Sequence, residues 1–186
     1  MYILTLSSGA RRLLPIERHN EASVPSSPAW SPDGTQIAFV MSAGDGLGLQ
    51  IFRIPATCDE TDCPVTQVTN TPGQSYDPVW TPNGEGMAFT SYRPGQNRWD
   101  GTWSIYTVNA DGSDMVQVTN TPGANDFNPT YSPDGNYLAF DRVTTSTRRP
   151  QDTNIYIMRT NGSEITCISS DAGEDPSWTA LPVSQK

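Results

Sequence analysis

The string Gln-Val-Thr-Asn-Thr-Pro-Gly occurs at Gln67–Gly73 and again at Gln117–Gly123, 50 residues further on. Ser31-Pro32-Asp33-Gly34 returns as Thr81-Pro82-Asn83-Gly84 and as Ser132-Pro133-Asp134-Gly135, each time directly after an aromatic residue: Trp30, Trp80 or Tyr131. Ile105–Ser113 maps onto Ile155–Ser163 with the same shift, and a fourth aromatic, Trp178, arrives on schedule without the turn. Such self-similarity restricts the chain to a repeated supersecondary unit whose apolar faces are covered by its neighbours.

Each period reads as four strands. The first ends at the aromatic, as in Pro78-Val79-Trp80. In the turn that follows, Pro fixes φ at one corner, Asp or Asn takes the next, and Gly supplies the left-handed position. Ile37-Ala38-Phe39, Met87-Ala88-Phe89 and Leu138-Ala139-Phe140 form the second strand, whose central Ala suits packing on both faces. Ile51-Phe52, Ile105-Tyr106 and Ile155-Tyr156 open the third, which turns at Asp111-Gly112 or Asn161-Gly162, a strong hairpin signal. Val65–Thr69, Met115–Thr119 and Ile165–Ile168 form the fourth. Asn161-Gly162-Ser163 also fits a glycosylation acceptor, but the repeat accounts for it as a turn. With 15 glycines, 16 prolines and no long apolar pattern at helical spacing, the class is all-β.

These residues resemble the TolB-type propeller repeat, whose hallmark is the aromatic-Ser-Pro-Asp-Gly turn before a short apolar strand. The resemblance implies a β-propeller with a funnel or channel on its axis. It covers three complete four-stranded blades, at about 27–70, 77–120 and 127–170, within a single domain spanning 1–186. Residues 1–16 read as the third and fourth strands of a partial earlier blade, and about 175–182 as a closing first strand. The second strand of that split blade is missing unless Thr179–Val183 supplies it. Two uncovered faces of about 500 Å² each would forgo roughly 25 kcal/mol at about 25 cal/mol per Å², more than the roughly 5–15 kcal/mol that holds a typical domain folded. Three outcomes are open: a two-fold homodimer making an eight-bladed ring, a four-bladed monomer, or a fragment of a larger propeller.

The net charge of −9 argues against nucleic acid, whose binding begins with phosphate neutralisation. The only basic doublets, Arg11-Arg12 and Arg148-Arg149, read as solvated loop charges. No run reaches the ~18 apolar residues that would span a bilayer. Met1 leads straight into Tyr-Ile-Leu-Thr-Leu, without the features of a signal peptide, which fits either a cytosolic chain or one that begins after its export signal. Cysteine usage favours an extracytoplasmic chain: Cys58 and Cys63 bracket a short loop and read as a disulfide, with free thiols or a metal as rivals. Cys167 reads as a small buried hydrophobe.

No catalytic constellation stands out, and the lone His19 has no nucleophile turn near it. The candidate site is a ring. Aligned on the aromatics, Ser27, Asp77, Asn128 and Asp175 open the innermost strands, with Asp126 and Glu174 close by. Such hard oxygen donors suit an axial Ca²⁺; alternatively they cap the strand openings before Pro. Asp59, Glu60 and Asp62 read as solvated charges. The connectors Ser91–Trp103 and Asp141–Asn154 vary between blades as binding loops do, and Trp99 and Trp103 are candidate anchors for a protein partner. The expected function is a non-catalytic protein-interaction or scaffolding module. The alternative is a metal-dependent carbohydrate-active enzyme with an axial acidic site.

Overall fold

The computed structural model describes residues 1–16, 24–44, 46, 48–59, 63–94, 102–144, 153–169 and 173–179. An N-terminal hairpin pairs β1 (Tyr2–Thr5) with β2 (Ala10–Leu13). Three antiparallel meanders follow, each a four-stranded sheet with its strands in sequence order. Blade I contains β3 (Ser26–Trp30), β4 (Gln36–Ser42), β5 (Leu49–Pro55) and β6 (Thr66–Gln67). Blade II contains β7 (Gln74–Trp80), β8 (Gly86–Arg93), β9 (Thr102–Asn109) and β10 (Val116–Gln117). Blade III contains β11 (Ala124–Tyr131), β12 (Tyr137–Thr144), β13 (Thr153–Arg159) and β14 (Thr166–Cys167).

The turn between the first and second strands is locked by its own side chains. Ser31 Oγ donates to Asp33 Oδ1 at 2.6 Å and accepts from the Gln36 amide at 2.9 Å, while Asp33 Oδ1 also accepts from the Thr35 amide at 3.0 Å. Thr81 with Asn83 and Ser132 with Asp134 repeat the arrangement, both at 2.6 Å. These hydrogen bonds stabilise the ionised carboxylates, lowering Asp33 and holding Asp134 at about 2.

Hydroxyls close the outer end of each blade. The amides of Ile51, Ile105 and Ile155 donate to Thr69 Oγ1, Thr119 Oγ1 and Ser169 Oγ at 2.8, 2.9 and 2.9 Å. This substitution shortens the expected fourth strands to two paired residues. The other strands run longer than the apolar pattern indicates. Ser91, Trp103, Asp141 and Asn154, expected in connectors, all lie in paired strands.

Blades stack through alternating faces. Ile37, Phe39 and Met41 pack towards the N-terminal hairpin, with Met1, Ile3 and Leu14. Ala38, Val40, Ile51 and Val68 meet Trp80, Met87 and Phe89 of blade II, and Ala88 and Ile105 meet Leu138, Phe140 and Met158 of blade III. The hairpin tips fit only glycine. A Cβ on Gly112 would lie 2.7 Å from the Val68 carbonyl oxygen, and one on Gly162 2.7 Å from that of Val118.

Cys58 and Cys63 are joined by a disulfide, with Cα atoms 4.6 Å apart. The Arg12 guanidinium donates to the Ala56 and Cys58 carbonyls, fastening the N-terminal hairpin beside it. Cys167 is not buried as expected: it is a free, exposed thiol. It occupies the outward position that Gln67 and Gln117 fill in the other blades.

Candidate functional site: the axial ring

Ser27, Asp77, Asn128 and Asp175 share one backbone state, with φ of 46, 50, 50 and 54°. Each precedes a proline, and the first three sit at register shifts between the first and second strands. Asn and Asp tolerate the left-handed region because their short polar side chains bond locally, whereas Ser27 is held there against its preference. All four residues, with Pro28, Pro78, Pro129 and Pro176, line one open hollow of about 320 Å³, the first three turned there by a bulge. The sequence alignment on the aromatics thus places this group together.

Hydrogen bonds link successive members. Ser27 Oγ donates to Asp77 Oδ1 at 3.1 Å. Asn128 Nδ2 donates to Asp175 Oδ1 at 2.9 Å and to Asp141 Oδ2 at 2.8 Å. Asp141 Oδ2 also accepts the Asp175 amide at 3.1 Å, just as Thr90 Oγ1 accepts the Asn128 amide at 3.1 Å. Asp141 and Thr90 therefore peg the left-handed residue of the following repeat to the second strand of their own blade. Sequence reasoning missed both. The available signal was the residue directly after the Ala-Phe pair: Val40, Thr90 and Asp141.

Burial raises Asp77, with a smaller push from the Asp175 charge, against the lowering effect of the Ser27 hydrogen bond. Burial also raises Asp141, against the bonds from Asn128 and the Asp175 amide. Asp126 stands apart from the ring. Its buried carboxylate accepts Arg142 Nε at 2.6 Å and Nη2 at 2.9 Å, and that guanidinium lies over the Phe140 and Tyr156 rings. Glu174 is exposed and does not line the hollow. Among the described residues, no group of three or more His, Cys, Asp or Glu is arranged to hold a metal ion. Ser27 and Asn128 donate hydrogen bonds to the Asp77 and Asp175 carboxylates, side chain to side chain.

Trp103 is half-buried, packed against Tyr76, Tyr92 and Phe127 with ring centroids 5.6, 5.3 and 5.7 Å away. His19, Glu60, Asp62, Trp99 and Arg148-Arg149 lie outside the described residues, as does the segment after Thr179. Residues 173–179 run against blade III without joining a sheet, and Trp178 Nε1 donates to the Thr130 carbonyl at 3.1 Å. Trp80 Nε1 makes the equivalent bond to Ala29, also at 3.1 Å.

No family model matches the chain. A TolB homolog of Chlorobium luteolum is 35% identical over 118 residues, covering 63% of this chain and 24% of that protein. The TolB homolog of Chlorobium chlorochromatii is 31% identical over 121 residues, 65% of this chain and again 24% of its own length. The chain thus spans about a quarter of these relatives. Among solved structures, TolB from Acinetobacter baumannii superposes with a TM-score of 0.66 at 22% identity, covering 89% of this chain and 36% of that one. An oligogalacturonate lyase in complex with manganese superposes at 0.62 and 15% identity, covering 89% and 46%. At those identities the structural matches speak to fold alone. The meandering four-stranded blades, the repeated aromatic-Ser-Pro-Asp-Gly turn and the Chlorobium relatives together show a β-propeller whose sequence is similar to TolB homologs.

Proposed function

We propose that the chain is a non-catalytic protein-interaction module that takes a partner segment at the axial hollow. The observation that carries this reading is the convergence of the four pre-proline residues. All four repeats set a polar side chain in the same left-handed state at the rim of one hollow. Backbone held in this region costs energy and persists where the surroundings over-determine it. The hollow offers carboxylate and amide acceptors beside apolar proline rings, a lining suited to an extended peptide. The disulfide between Cys58 and Cys63 supports an extracytoplasmic setting, where such bonds persist. The carbohydrate-active alternative draws no comparable support, because the ring's donor set is Ser, Asp, Asn and Asp with its carboxylates already hydrogen-bonded.

Panning a displayed peptide library on the chain, with Ser27→Tyr as the counter-target that fills the hollow, tests this reading. Peptides should bind the wild type and lose at least about tenfold in affinity on Ser27→Tyr, the equivalent of about 1.4 kcal/mol. Peptides that bind both equally would place the interaction surface elsewhere.

A further inference from the structure

We propose that a hollow of about 210 Å³ between blades II and III binds an alkylguanidinium group, the head of an arginine side chain or of a free guanidino compound. At the neighbouring junction, between blades I and II, an arginine of the chain itself fills the corresponding place. The site is independent of the axial hollow, and all four strands of both flanking blades are described.

Three repeat positions set the two junctions apart. Arg53 and Thr107 pair with the central alanine of the second strand, Ala38 or Ala88. Each stands two residues after an isoleucine, Ile51 or Ile105, that packs towards the following blade, so each faces that blade too. Gln36 and Gly86 open the second strand, and Trp80 and Tyr131 end the first strand of the following blade.

At the I/II junction the three positions hold Gln36, Arg53 and Trp80. Arg53 Nη1 donates to Gln36 Oε1 at 3.1 Å, and Arg53 Nε is buried. Asp111, at the hairpin tip of blade II, is lowered by its hydrogen bonds from Ser113 and, to a smaller extent, by the Arg53 charge. At the II/III junction the same positions hold Gly86, Thr107 and Tyr131, each smaller than its counterpart, and all three line the hollow. Gly86 cannot carry a side chain there, because its Cβ would lie 2.7 Å from the Val108 carbonyl oxygen.

The lining selects a cation with a flat face. Glu85 and Asp114 border the hollow, and no basic side chain lines it. Glu85 Oε2 accepts from Asn83 Nδ2 at 2.6 Å and Asp114 Oδ2 from Asn109 Nδ2 at 2.9 Å, which leaves the second oxygen of each carboxylate for a ligand. Met87 and Tyr131 contribute apolar wall. A guanidinium meets the carboxylates with the N–H groups on its edge and lays its weakly hydrated face on the aromatic ring, whereas an ammonium does only the first well. It thus replaces from outside what Arg53 supplies from within the other junction.

Titrating ethylguanidinium into the isotopically labelled chain should move the amide resonances of Gly86, Thr107 and Asp114 to a plateau. Ethylurea, of the same shape without the charge, should leave them unmoved. Thr107→Arg supplies the guanidinium from the chain, as Arg53 does, and should weaken ethylguanidinium binding at least about tenfold while the rest of the spectrum is kept. Glu85→Gln with Asp114→Asn should weaken it at least about tenfold as well, through loss of the charge-assisted hydrogen bonds. A blocked Gly-Arg-Gly peptide separates the two sources: binding tighter than that of ethylguanidinium identifies an arginine on a partner chain, and weaker binding a free guanidino compound. Shifts that reach no plateau, that ethylurea reproduces, or that both variants keep unchanged would each overturn the proposal.

Discussion

Between blades I and II, Val40, Val68, Trp80 and Phe89 meet as apolar surfaces, and the Trp80 indole closes the inner end on the Ala29 carbonyl. Between blades II and III the same repeat positions hold Thr90, Val118, Tyr131 and Phe140, and the buried Asp126–Arg142 pair lies beside them. Thr90 accepts the Asn128 amide where Val40 offers no acceptor. Tyr131 has no ring N–H to reach the preceding strand, and hollows of about 210 and 290 Å³ flank it. The two junctions share a backbone and differ in chemistry. The glycine hairpin tips and the locked turns set blade spacing, which leaves the side chains between blades free to diverge.

The difference shows in how each junction fails. Losing one partner of a buried ion pair strands the other charge, so Arg142→Ala should cost about 3–5 kcal/mol. Replacing both partners together, Asp126→Leu with Arg142→Met, should cost far less than that single change. Chemical denaturation of the three proteins measures the contrast. An Arg142→Ala loss below 1 kcal/mol would mean that the pair is solvated and the junctions are alike.

Exchanging the aromatics probes the inner ends. Tyr131→Trp should fill the space beside the ring, add an indole hydrogen bond, and raise stability by about 1 kcal/mol. Trp80→Tyr should lower it by about 1–2 kcal/mol through lost area and the lost bond to Ala29. Burial pushes the Tyr131 phenol up to about 12, and Tyr131→Trp should remove that late step from an ultraviolet titration.

The smallest effect concerns the ring beneath both junctions. Asp77 is raised above its ordinary value of 3.8, so the folded state binds its proton more tightly than the unfolded state does. Its ionisation therefore costs stability as pH rises from the unfolded value through the folded one, and costs nothing below the unfolded value. Asp77→Asn keeps an acceptor for Ser27 and should raise the melting temperature at pH 7 but not near pH 3. Equal shifts at both pH values would rule out the carboxylate charge as the cause.

The 50-residue shift made the blades, their order and the axial residues legible, because turn chemistry and alternation are local. It did not show strand length. Hydroxyls at Thr69, Thr119 and Ser169 take over from the backbone ladder, and polar stretches such as Asp141–Thr144 continue the pairing without an apolar signal. Asp126 was grouped with the ring by proximity in sequence, but it lies in register opposite Arg142 and pairs with it, and the register shift after Phe127 separates it from Asn128. Cys167 misled because its residue type usually packs inside, whereas the repeat position it fills faces out. In each case the deciding partner sits in another strand or blade, beyond the reach of spacing alone.

The two-residue fourth strands have a consequence for how such molecules associate. An exposed sheet edge templates further strands, and the outer edge strand of each of blades I, II and III is only two residues long. The inner edges are blunted as well, because Pro28, Pro78 and Pro129 follow the register shifts and have no amide hydrogen to donate. Lateral growth into fibrils is thus blocked on both sides of each blade. What remains open is stacking face on face, a direction in which addition curves around an axis and stops once the circle is full.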